Sequence, residues 1–139
     1  MNIFLILAGT FNALAAIMHL GCIYFGASWY RFFGAGEEMA RMAEKGSIKP
    51  TLITLVIVFV LVTWAVFAYS AAGLFVRLPL TQYVLMAISL IYAIRGLSGF
   101  FFIKNPMGRA PQFWFWSSCI CLVGAVLHVL GLYQQWLYV

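Results

Sequence analysis

The sequence predicts an all-α membrane protein: a four-transmembrane-helix bundle with a short interfacial helix in its first loop. Two observations carry this. Charged side chains make up 8% of the 139 residues and the mean hydropathy is +1.03, which leaves too little polar surface to cover a water-soluble domain. The apolar residues also gather into stretches of about 20 or more, long enough at ~1.5 Å per residue to cross a hydrocarbon core of ~30 Å.

The spans are read as residues 3–25, 51–73, 82–103 and 111–137 of a single domain. They are continuous runs rich in Leu, Ile, Phe and Ala, unlike the alternating ten-residue segments of an outer-membrane barrel. The first is read as a span and not a cleaved signal, because no Lys or Arg precedes it and its apolar run continues well past Ala13-Leu14-Ala15. Pro50, Pro79, Pro106 and Pro111 fall in loops or first turns, so no span carries the interruption typical of a broken-helix transporter. Cys22, Cys119 and Cys121 lie inside spans at no motif spacing and are read as reduced packing residues.

The bases set the expected orientation. Arg31, Arg41, Lys45 and Lys49 lie between the first two spans, and Lys104 and Arg109 lie between the last two. On the opposite side only Arg77 stands in a loop. The positive-inside rule then places both termini on the periplasmic side of a bacterial inner (cytoplasmic) membrane. The pI near 9.4 is read as complementing anionic lipid headgroups, with no nucleic acid as partner.

The first loop holds every carboxylate side chain of the protein: Glu37, Glu38 and Glu44. Residues 36–46 are read as a helix with Glu37 and Glu38 in a dipole-favoured first turn and Gly46 as a stop. Glu37 stands four residues before Arg41, the spacing of a helical ion pair. Met39, Met42 and Ala43 form a thin apolar stripe suited to lying on a membrane surface. Trp29, Tyr30, Trp136 and Tyr138 suit an interfacial aromatic belt.

Candidate ligand-binding residues follow from polar groups in apolar spans. Arg95 lies about nine residues, or ~13 Å, from the end of its helix marked by Lys104. A mid-span arginine costs about 2.5–3.5 kcal/mol on insertion scales, and no span holds an acid to offset it. Its expected partners are Asn12, Tyr92, backbone carbonyls, the loop acids Glu37 and Glu38, or a bound anion. Arg31 is a second anion-holding candidate. Asn12 and His19 share a stripe of the first span with Ala8, Ala15, Ala16 and Cys22, and His128 shares one of the fourth span with Ser117, Cys121, Gly124, Ala125 and Gln135.

Two histidines in a bundle suggest shared haem or metal ligation, but depth opposes it. His19 and His128 lie on opposite sides of the midplane, about nine residues or ~13 Å apart along the bilayer normal, too far for one iron. No metal or cofactor is therefore expected.

The segment "WYRFFGAGEEMARMAEKGS", the Pro-Thr-Leu opening of the second span and "IYAIRGLSGF" in the third resemble a family of small four-span inner-membrane proteins of bacteria with no assigned activity. The resemblance implies location and architecture, and brings no reaction, cofactor or functional residue with it. The leading expectation is a non-catalytic membrane protein whose polar interior around Asn12, His19 and Arg95 binds a lipid-like small molecule or supports a membrane partner, with membrane lipids around it. Association between copies is compatible with Gly96 and Gly99. Two alternatives stand beside it. One is an enzyme acting on a lipid or quinone at the cytoplasmic interface, with Glu37 or Glu38 as base and Arg31 or Arg95 holding an anionic group. The other is a redox or transport component.

Overall fold

The computed structural model describes residues 1–105, 109 and 111–137. Pro106 and Tyr138 lie outside these. Six helices follow one another: α1 (Ile3–Phe25), α2 (Ala27–Phe32), α3 (Glu37–Glu44), α4 (Lys49–Ala72), α5 (Thr81–Phe101) and α6 (Pro111–Leu137). No strand occurs among the described residues.

Helices α1, α4, α5 and α6 have the length and hydropathy of membrane spans. Their outward faces carry large apolar side chains such as Ile17 (61% exposed), Phe59 (73%), Leu90 (60%) and Val126 (54%). Such continuous apolar surface is stable only against lipid. The chain is a multi-pass membrane protein.

The boundaries follow local chemistry. Asn2 caps α1 by accepting from Leu5 N at 3.1 Å, and its amide donates to Gly131 O at 2.7 Å, tying the start of α1 to α6. Helix α4 starts at Lys49, two residues before the expected position, because a proline in the first turn gives up only an amide that has no helical partner. Gly26, at φ 77°, allows the chain to break between α1 and α2.

Helix α1 packs most extensively on α4 and α5 on α6, and α1–α6 and α4–α5 contacts close the ring. Close approach comes from small residues. A Cβ on Gly96 would meet Leu122 Cγ at 2.7 Å, and one on Gly99 would collide with the fully buried Ser118.

Helices α2 and α3 form a hairpin over one end of the bundle. Ala35 N donates to Tyr30 O at 2.9 Å across the turn, and Ala40, Tyr30 and Cys22 make a small core there. Tyr30 departs from the aromatic-belt expectation. It is 3% exposed, and its hydroxyl lies 3.1 Å from Thr54 Oγ1 on α4, so it pins the hairpin down. Of the stripe on α3, Met39 and Ala43 turn inward and pack with Ala40 in that core, whereas Met42 is not part of it. The expected helix over 36–46 is α3, shorter by a residue at its start and two at its end, and α2 precedes it.

Candidate functional site

Asn12, Tyr92 and His128, from α1, α5 and α6, meet in the middle of the bundle. The Tyr92 hydroxyl donates to Asn12 Oδ1 at 2.5 Å, and the Asn12 amide lies 3.1 Å from His128 Nε2. His128 Nδ1 lies 2.6 Å from Gly124 O. A carbonyl can only accept, so Nδ1 carries the proton and Nε2 accepts from Asn12. Asn12 and His128 are fully buried. The trio is closed on itself, and none of the described pockets is lined by it.

His19 stands apart, with Nδ1 2.7 Å from Ala15 O on its own helix. Seven residues separate it from Asn12, the level of His128, or ~10 Å along α1. The two imidazoles do not converge on one centre. Among the described residues no three His, Cys, Asp or Glu side chains gather where they could hold a metal ion.

Of the partners expected for Arg95, neither Asn12 nor Tyr92 bonds to it, and it forms no ion pair with Glu37 or Glu38. Its Nη2 donates to Ser117 Oγ at 3.0 Å, and its guanidinium carbon lies 5.0 Å from the centre of the Trp114 ring. Both partners are on α6, which Gly96 and Gly99 bring close. Arg95 Nη1 is buried and has no hydrogen-bond partner among the described residues. Arg109 reaches the same tryptophan, 5.4 Å from its ring centre, lies 5.1 Å from Phe113, and donates to Ala35 O at 3.3 Å. Burial, and then the Arg95 charge, lower the Arg109 pKa from its ordinary value. Guanidinium remains charged regardless.

Beside these cations lies a pocket of about 520 Å³ between the α2–α3 hairpin and α6. Arg109, Gln112, Ser117 and, at its mouth, Arg31 and Glu37 supply the polar wall, while Phe32, Phe113, Trp116 and Ile120 supply the apolar one. Phe113, Trp116 and Ile120 recur at helical spacing, so they form one stripe along α6. Trp116 is 63% and Ile120 54% exposed, so the stripe continues into the lipid-facing surface.

Arg31 is committed elsewhere. It pairs with Glu37 at 2.9 Å and Glu44 at 2.6 Å, whereas the anticipated Glu37–Arg41 contact is long at 3.8 Å. The hydrogen bond from Arg31 holds the Glu37 carboxyl below its usual range. A carboxylate so stabilised is a poor proton acceptor. Glu38 is exposed at the outer face of α3.

The pair gives a pH dependence with a defined sign. A depressed folded-state pKa means that the stabilisation is present above the ordinary glutamate value of about 4.3 and is lost as pH falls through the lowered value. Hydrogen exchange of the α2–α3 hairpin, corrected for intrinsic rates, is expected to accelerate in that acidic window. In Arg31→Gln the hairpin should already exchange fast at neutral pH, with the Glu37 titration moved up toward the ordinary value.

Comparison with known protein families, curated proteins and solved structures finds no match to the chain. A second pocket, of about 510 Å³ at the opposite end, is lined by Met1, Asn2, Ala71, Ala72, Arg77, Gln134 and Gln135. It lacks the aromatic wall of the first.

Proposed function

We propose that this protein is a multi-pass protein of the bacterial inner membrane, with both termini periplasmic, that binds a lipid-like amphiphile in the pocket between the α2–α3 hairpin and α6. The observation that carries the reading is the composition of that pocket. Arg109, Gln112 and Ser117 stand against Phe113, Trp116 and Ile120, giving a polar end and an apolar stripe that opens onto the lipid-facing surface. A volume of about 520 Å³ falls within the ~300–1,000 Å³ typical of small-molecule sites. The six loop bases at this end, against Arg77 at the other, support a cytoplasmic placement of the pocket.

Binding without catalysis is the simpler reading, since Glu37 is held as a carboxylate by Arg31 and no hydrogen bond among the described residues joins it to Ser117, the hydroxyl residue of the pocket lining. The polar trio of Asn12, Tyr92 and His128 serves the bundle instead of the ligand.

Native mass spectrometry of the protein released from its own membrane in mild detergent tests this. One retained amphiphile per chain is expected. Ile120→Trp, which fills the pocket, should abolish it, while Val126→Trp on the lipid-facing side of the same helix should not. A bare mass, or an adduct indifferent to Ile120→Trp, would overturn the reading.

A further inference from the structure

The head-group chemistry argued from the charges at this end of the bundle rests on the amphiphile reading. Charge at this end of the bundle is unevenly compensated. Arg31 and Arg41 face Glu37 and Glu44 on the α2–α3 hairpin, so two cations meet two anions there. Deeper in, Arg95 and Arg109 form no ion pair among the described residues, and both approach the single indole of Trp114. Two partly desolvated like charges this close raise each other's cost, and a bound anion relieves it.

Ser117 gives the arrangement a direction. Its Oγ accepts from Arg95 Nη2, which leaves the serine's own hydrogen free to donate, and no described residue accepts it. Ser117 lines the pocket with Arg109 and Gln112. The Arg109 guanidinium lies 5.4 Å from the ring centre of Trp114, which stands three residues before Ser117 on α6.

We infer that the ligand is an acidic amphiphile whose phosphate or carboxylate head is held by the Arg109 guanidinium and the Ser117 hydroxyl, with its chain along Phe113, Trp116 and Ile120. Arg95 is a positioning residue. It fixes the Ser117 hydroxyl through Nη2 and adds a positive field without touching the ligand.

The test uses photoactivatable probes with one alkyl chain and four heads: phosphate, carboxylate, neutral glycerol and quaternary ammonium. The full chain is placed in phosphatidylcholine nanodiscs, and labelled residues are mapped by mass spectrometry. Both acidic probes should label Phe113–Ile120 at least ~10-fold more than the neutral one, the ratio a charge-assisted contact gives. Arg109→Gln should cut that preference to about twofold or less, and Arg95→Gln or Ser117→Ala should reduce it, with neutral-probe labelling unchanged as evidence that the fold persists. Inorganic phosphate at millimolar concentration should not compete.

Equal labelling by acidic and neutral probes would overturn the acidic-head inference and leave the amphiphile reading standing. Labelling no stronger than on other lipid-facing surfaces, for every probe, would overturn the amphiphile reading itself. Displacement of the alkyl phosphate by inorganic phosphate would overturn the inference in favour of a free anion.

Discussion

Asn12→Leu is expected to destabilise the bundle by about 2–3 kcal/mol, because it strands two buried groups at once. The Tyr92 hydroxyl loses its acceptor and His128 Nε2 loses its donor, in a core where Asn12 and His128 have no access to solvent. Each stranded group costs about 1–3 kcal/mol in a water-soluble core. Interhelical hydrogen bonds in membranes are worth less, ~0.6 kcal/mol on average and at most ~1.7, since separated helices find other partners in lipid. The central location of the trio, linking α1, α5 and α6, puts the expected loss near the top of the membrane range for each bond. Reversible unfolding in mixed micelles measures it. Tyr92→Phe should cost less in the Asn12→Leu background than in the wild type, since the two changes remove the same bond. A loss below ~0.5 kcal/mol would mean that the trio does not hold the helices together.

Gly99→Leu is expected to be at least as damaging, about 3 kcal/mol, by overpacking. Even a methyl group on Gly99 would collide with Ser118 Oγ and lie 2.8 Å from Arg95 Nη1. Ser118 has no free space to yield into, being fully buried. The larger side chain therefore drives α5 and α6 apart, and with them the Arg95–Ser117 contact. The milder Gly99→Ala provides the control, because Ser118→Gly removes the atom it strikes and should restore much of the stability. Failure of that rescue would show that the α5–α6 approach is not set by this pair.

Legibility in the sequence follows the range of the interactions. The spans are readable because hydropathy over about 20 residues is a local property that bilayer thickness converts into length. The inward face of α1, with Ala8, Asn12, Ala16 and Cys22 all buried, is readable from helical spacing for the same reason. The meeting of Asn12, Tyr92 and His128 depends on the relative heights of three helices. Part of that signal is present, since the depth count that parts His19 from His128 sets Asn12 within about two residues, or ~3 Å, of His128's level. Spacing along one helix gives no hint that Tyr92 closes the group.

The Arg95 environment was half readable. That an arginine with no acid in the spans must face inward follows from solvation cost, but Ser117 and Trp114 as its partners depend on how closely α5 and α6 approach at Gly99. Arg31 was least readable. Its pairing with Glu37 and Glu44 exists only because the turn through Gly34 and Gly36, both at positive φ, folds α3 back on α2. Local spacing gives the long Glu37–Arg41 pair, and the turn adds Arg31 as the closer partner.

The central claim, that the pocket beside Arg109 and Ser117 is built for an acidic amphiphile, is tested most directly by an experimental density map of the protein in nanodiscs of its native lipid. The account predicts elongated density with a compact head within hydrogen-bond distance of Arg109 and the Ser117 hydroxyl, and a chain following Phe113, Trp116 and Ile120. A pocket closed by its own side chains, or one in which an acid from the α2–α3 hairpin sits on Arg109, would contradict it.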